Sequence, residues 1–309
     1  MNLPRPIRGI VTPMLTPLVS PDKLDAAALE RLIEHLLQGN VSGLFILGST
    51  GEAPGLSYRL RREVIDRSCS AANGRRPVLA GITDTSSVES LGIAEYSARA
   101  GASALVLSPP YYYTLSQGAF LAYLERFVPK LPLPLYLYNM PTYTKFAIAP
   151  ETVRAAADIP NVYGLKDSSG NAGYFRAVQQ ALSGRPEVAL LVGVEEVLAE
   201  FVGFGAHGGV CGGSNLEPQL YVQIYDAAAR GDWARVEVLQ KRVLQISTGV
   251  YRVGEPGSSY LRGLKCAASL LGLCTAVMAE PYVALTAAEQ EQIRQNLANI
   301  GMLSLQAAQ

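Results

Sequence analysis

Lysine is scarce in this chain: Lys23, Lys130, Lys145, Lys166, Lys241 and Lys265 are the full set, and Lys166 alone ends a short apolar run. Where water is scarce an ammonium is disfavoured, and a lysine left as the neutral amine is a nucleophile able to form a Schiff base with a carbonyl substrate. The competing reading is an ion pair with Asp167 or another carboxylate. Tyr138 closes the preceding apolar run. It could relay protons during carbinolamine formation, dehydration and carbon–carbon scission, or be a packed core tyrosine. Ser49 and Thr50 stand in the turn GSTGE, Gly48 to Glu52. Their hydroxyls and the free N–H groups of such a turn can hold a carboxylate without a cation, or make only a tight turn.

Other groups have weaker chemical readings. Tyr111, Tyr112 and Tyr113 follow two prolines, as an aromatic interface plug or as a source of one catalytic phenol. Glu195 and Glu196 follow Gly193, either complementing a helix dipole or placing one carboxylate on substrate hydroxyls. His35 lies within an amphipathic helix and His207 precedes a strand, so both read as structural. Cys69, Cys211, Cys266 and Cys274 lack CxxC spacing and, with two histidines, offer too few ligands for a familiar zinc site; reduced, buried thiols are expected. GSTGE lacks the GK[ST] ending of a nucleotide loop and no GxGxxG follows the first strand, so no nucleotide cofactor is expected.

The elements that must carry these residues alternate. Apolar runs at 9–13, 43–47, 78–80, 104–107, 135–138, 162–166, 189–192 and 208–210 read as strands covered on both faces. Helical stripes fill 26–38, 58–72, 87–100, 117–128, 150–157, 174–182, 195–204 and 218–230. Repeated β-α pairs suggest a (β/α)8 TIM barrel over residues 1–230, although periodicity does not separate closure from an open doubly wound sheet. Beyond it, 233–248, 259–271 and 287–299 read as a C-terminal three-helix extension, residues 231–309, with GEPGSS at 254–259 as an internal linker. In a parallel barrel, ligands bind where strands end, which is where GSTGE, SPPYYY, YNMP and GLKDSSG fall.

Composition agrees with a small-molecule or protein partner. Of 309 residues, 26 basic cancel 26 acidic, 49% are hydrophobic and 17% charged, which argues against disorder and against electrostatic binding of nucleic acid. The opening MNLPRPIRGIVTPMLTP lacks the marks of a signal peptide and no long apolar run follows, so a cytoplasmic location and no membrane partner are expected.

GSTGE, SPPYYY, YNMP and GLKDSSGN, in order and one per expected strand end, resemble the dihydrodipicolinate synthase/N-acetylneuraminate lyase family of class I aldolases over nearly the whole chain. The resemblance implies a pyruvate-handling barrel without metal or organic cofactor, assembled as a homotetramer of two tight dimers. It makes Lys166 the Schiff-base lysine, Tyr138 the proton relay and Ser49 the hydroxyl linking two tyrosines. Thr50 becomes the pyruvate-carboxylate binder, Tyr112 the tyrosine inserted into the neighbouring subunit's site, and Val210 the residue whose carbonyl faces the pyruvyl group. Where synthase members carry an arginine two residues after the YNxP proline, this chain has Tyr143, with Lys145 as a more distant cation. Ser49–Thr50 and the acidic pair after Gly193, Glu195 foremost, are more similar to the sialic-acid lyase branch, whose corresponding acidic residues hold sugar hydroxyls. The favoured expectation is therefore cleavage of a 2-keto-3-deoxy sugar acid or related hydroxy-keto acid to pyruvate and an aldehyde, or its dehydration. The alternatives are dihydrodipicolinate synthase itself, and a pyruvate- or sugar-acid-binding protein without turnover.

Overall fold

The apolar runs form strands because each is short and buried on both sides, and the eight of them pair into a closed ring. The computed structural model describes residues 3–304; residues 1–2 and 305–309, at the ends of the two expected segments, lie outside this range. The chain opens with β1 (Gly9–Pro13), makes a small hairpin of β2 (Leu18–Ser20) and β3 (Lys23–Leu24), and enters α1 (Ala26–Gln38). Then come β4 (Gly43–Ile46), α2 (Tyr58–Ala72), β5 (Val78–Gly81), α3 (Ser87–Ala100), β6 (Ala104–Leu107) and α4 (Gln117–Phe127). β7 (Leu135–Asn139) leads through α5 (Pro141–Thr144) and α6 (Pro150–Ala156) to β8 (Val162–Asp167), α7 (Ala172–Ala181), β9 (Ala189–Val192), α8 (Leu198–Gly203), β10 (Gly208–Gly209) and α9 (Pro218–Ala229). The barrel order is β1-β10-β9-β8-β7-β6-β5-β4, so closure decides between the two α/β architectures left open by periodicity.

Side chains alternate across each strand. Val11, Phe45, Leu79, Val106, Tyr136, Tyr138, Leu191 and Val210 form one buried cluster inside the ring. Their neighbours Ile10, Leu44, Ile46, Leu105, Leu137, Leu165 and Leu190 belong to the larger cluster between strands and helices. Since Leu165 faces the helices, Lys166 faces the interior. Helix starts follow the expected cap chemistry. Side-chain oxygens of Asp25, Ser57, Ser86, Ser116 and Asn171 accept from backbone N–H groups three residues on.

Boundaries differ where the backbone turns for steric reasons that residue type does not announce. β4 stops at Ile46 because Leu47 adopts a left-handed conformation, φ 57°. The expected helix over 195–204 is split into a 3-10 turn at Glu195–Val197 and α8. The β2–β3 hairpin and α5 lie outside the segments that periodicity marks as strand or helix. The three C-terminal helices are α10 (Trp233–Val250), α11 (Ser259–Leu270) and α12 (Ala287–Asn299). GEPGSS is a turn between α10 and α11 rather than a tether: Val250, Leu264 and Leu297 share the same hydrophobic cluster as the barrel's outer face. All four cysteines are free and buried. Among the described residues no helix is long and apolar enough to cross a membrane.

Candidate active site

Lys166 and Tyr138 are brought together by register. They are paired Cα partners on adjacent strands β8 and β7, followed by the pair Asn139 and Asp167. Lys166 is 6% exposed, and its Nζ stands 4.0 Å from the centre of the Tyr138 ring and 5.3 Å from that of Phe45. The rival ion pair with Asp167 does not form. Successive strand residues point to opposite faces, and the Asp167 carboxylate accepts from Asn139 Nδ2 at 2.8 Å, Ser169 N at 3.0 Å and the Ser169 hydroxyl at 3.0 Å. Burial still pushes the Asp167 carboxyl above its ordinary value against those bonds. Among the described residues no carboxylate forms an ion pair with Lys166; the buried lysine that has one is Lys265.

The Tyr138 hydroxyl lies 3.4 Å from Ser49 Oγ. Burial pushes this phenol up, but the Lys166 charge and hydrogen bonds with Ser49, Ser168 and Lys166 outweigh it and hold the phenol below its ordinary value. That direction suits a group that must give up and regain a proton. Gly193 is where a side chain would block the lysine. A Cβ there would stand 1.9 Å from Ser168 Oγ and 3.2 Å from Lys166 Cε. Val210 is buried just past β10, its N–H donating to the Val192 carbonyl at 2.7 Å.

Above Tyr138 opens a cavity of about 320 Å³, lined among others by Ser49, Thr83, Ser108, Tyr111, Tyr143, Leu261 and Tyr282. Among the described residues that line it there is no arginine or lysine. Tyr143 is 42% exposed at this wall, and burial of its hydroxyl pushes its pKa up. Lys145 turns back on its own loop, donating to the Thr142 carbonyl at 2.7 Å. Of the three tyrosines after the prolines, Tyr111 reaches the cavity, whereas Tyr112 and Tyr113 are 78% and 77% exposed and contact each other edge-on.

Glu195 is not at the mouth as expected. It is 3% exposed, with Oε1 accepting from the hydroxyls of Tyr221 and Tyr251 at 2.6 Å each and Oε2 from Gly213 N at 2.9 Å. The 3-10 turn directs its carboxylate inward against α9 and the end of α10, where Tyr221, Tyr251 and Gly213 hold it, and Glu195 is not among the residues lining the cavity. Sequence reasoning also passed over Tyr260, whose hydroxyl is 3.3 Å from Thr50 Oγ1, and the buried pair of Lys265 Nζ with Glu52 Oε1 at 2.5 Å.

With this geometry in place, comparison with known proteins is direct. Residues 6–300 match the model of the Dihydrodipicolinate synthetase family. A relative described as 4-hydroxy-tetrahydrodipicolinate synthase, from Chelativorans sp., is 33% identical over 301 residues, 96% of this chain and 99% of its own. A solved structure of dihydrodipicolinate synthase from Bacteroides thetaiotaomicron superimposes with TM-score 0.94 at 49% identity, covering 96% of this chain and 100% of that one. A prophage protein of the dihydrodipicolinic acid synthase family from E. coli K12, solved in complex with pyruvate, is 27% identical with TM-score 0.90 over 96% of this chain and 99% of its own. The chain belongs to the dihydrodipicolinate synthetase family, whose enzymes are lyases of the pyruvate-dependent class I aldolase type.

Proposed function

We propose that Lys166 is the Schiff-base nucleophile of a pyruvate-dependent aldol reaction, and that the acceptor is aspartate semialdehyde, giving 4-hydroxy-tetrahydrodipicolinate. The observation that carries the chemistry is the buried Lys166 amine, in no ion pair among the described residues, beside the Tyr138 phenol. The observation that carries the acceptor is the synthase description of relatives sharing nearly the full chain length. Cleavage of sugar acids, the expectation favoured from sequence, has less support from these relatives.

In the proposed cycle the Lys166 nitrogen adds to C2 of pyruvate, and the carbonyl oxygen takes a proton to give a carbinolamine. Loss of that oxygen as water forms the iminium, and loss of a C3 proton gives the enamine. The enamine carbon then bonds to the aldehyde carbon, whose oxygen becomes a hydroxyl; the semialdehyde's own amino group adds to C2 of the regenerated iminium and displaces the Lys166 amine, closing the ring as a cyclic imine, so that one water is lost over the whole cycle. Tyr138 carries the protons, with Ser49 as its hydrogen-bonding neighbour. Val210 and Gly193 leave the backbone close to the pyruvyl group, and Thr50 meets its carboxylate. Replacing Tyr138 by phenylalanine is expected to lower kcat by about 10²- to 10⁴-fold, with the Lys166 adduct still forming under prolonged borohydride treatment. A kcat within a factor of three or so of wild type would remove Tyr138 from the relay.

One observation favours a second reading. Tyr143 stands where synthase members carry an arginine, and among the described residues no lysine or arginine lines the cavity to receive a semialdehyde carboxylate. That favours a hydroxy-keto acid whose distal end is uncharged. Borohydride reduction with pyruvate, peptide mapping, and turnover with the semialdehyde against a panel of 2-keto-3-deoxy sugar acids separate the readings. Labelling of the Lys166 peptide with semialdehyde as the best substrate is expected; a sugar acid turned over faster moves the assignment to cleavage.

Exposed Tyr112 and Tyr113 have no partner beyond each other in the hydrogen-bond and aromatic contacts of the described residues. This supports a homotetramer in which Tyr112 reaches a neighbouring subunit's site. Light scattering is expected to give the tetramer mass, and Tyr112→Asp, which puts a charge into that contact, should shift it toward smaller species. A wild-type monomer at assay concentration would rule this out.

A further inference from the structure

Tyr260, on α11, enters the barrel mouth from the C-terminal helices. Its hydroxyl stands 3.3 Å from Thr50 Oγ1. The space it occupies exists because residue 212 is glycine: a Cβ there would be 1.8 Å from the phenol oxygen. The hydroxyl therefore lies between the turn after β4 and the loop after β10, two residues past Val210. Its ring rests edge-on against Tyr251, centroids 4.9 Å apart at 70°. Tyr251 is in turn fixed by the 2.6 Å bond from its hydroxyl to Glu195. Burial first, and then the Glu195 charge, push the Tyr260 phenol well above its ordinary value, so it remains a donor.

Two hydroxyls at this spacing can both donate to one carboxylate oxygen at ordinary short distances of about 2.5–2.7 Å. Thr50 and Tyr260 thus offer a keto acid's carboxylate two neutral donors beside Ser49, whose hydroxyl meets Tyr138. We propose that Tyr260 is a substrate-binding residue which, with Thr50, donates to the carboxylate of the bound keto acid. The C-terminal helices thus complete the carboxylate subsite instead of only covering the barrel.

The inference rests on the Schiff-base reading of Lys166, and its test separates the two. Borohydride trapping is titrated with pyruvate and with methyl pyruvate, which has the same ketone but no carboxylate charge, in wild type and Tyr260→Phe. Phenylalanine keeps the ring contact with Tyr251, and an unchanged thermal midpoint verifies the fold. The half-saturating pyruvate concentration is expected to rise about tenfold or more, because a hydrogen bond to a charged group is lost, while that for methyl pyruvate moves about twofold or less. Wild-type labelling at Lys166 with no pyruvate shift in the variant, or with equal shifts for both ketones, overturns the role of Tyr260 alone. Absence of wild-type labelling overturns the Schiff-base reading and this inference with it.

Discussion

Lys166→Met is expected to abolish pyruvate trapping and to lower turnover by about 10⁴-fold or more, the scale seen when a covalent nucleophile is removed. Methionine keeps an unbranched apolar stem like that of lysine without the terminal nitrogen, and near-volume-conserving swaps cost less than about 1.5 kcal/mol. The site adds a reason to expect a small change. The lysine nitrogen has aromatic neighbours, Phe45 and Tyr138, and no carboxylate is left unpaired when it goes, because Asp167 is satisfied by Asn139 and Ser169. Loss of activity with an intact thermal midpoint would therefore be chemical. Lys166→Arg makes the complementary point: it restores a cation, but a guanidinium that stays protonated cannot add to a ketone, so it should be equally inactive. Kinetics and peptide mapping of both variants decide the matter, and turnover within about tenfold of wild type in either would show that the bond-making amine lies elsewhere.

The placement of Lys166 could be read from sequence because it depends on local pattern. A lysine closing a short apolar run has one direction to face once alternation and the buried neighbours are known, and Tyr138 closes the run before it. The ends of the strands were harder. Leu47 takes a left-handed backbone that leucine does not signal, and Tyr138 and Lys166 each prove to be the penultimate residue of a strand. Glu195 was misplaced for a related reason. Its sequence position is at the barrel mouth, but its direction is set by a 3-10 turn and by hydroxyls 26 and 56 residues away. Tyr260 meets Thr50 across 210 residues, and nothing in either local sequence names the other. A partial signal did exist for Lys265, which lies in the apolar stripe of LRGLKCAASL. A lysine there requires a buried counter-charge, yet only closure of the chain shows that Glu52 supplies it.

That pair yields the largest expected effect on stability. Lys265 is fully buried and Glu52 is 5% exposed; Glu52 Oε1 meets the ammonium and Oε2 accepts from Ala279 N at 2.8 Å. Removing one partner leaves the other charge buried without compensation, so Lys265→Met is expected to cost about 3–5 kcal/mol. The double variant Lys265→Met/Glu52→Gln should recover most of this, since the amide keeps an acceptor for Ala279 and carries no charge. The consequence extends to the site. Glu52 ends the GSTGE turn in a left-handed conformation, φ 58°, and the ion pair ties that turn to the helix bearing Tyr260. Lys265→Met should therefore raise the pyruvate concentration needed for trapping, even at temperatures where the variant remains folded. Thermal denaturation and the trapping titration, run on the single and double variants, measure the two effects. A single variant losing less than about 1 kcal/mol would mean that water reaches the pair and that the turn is held by its own backbone bonds instead.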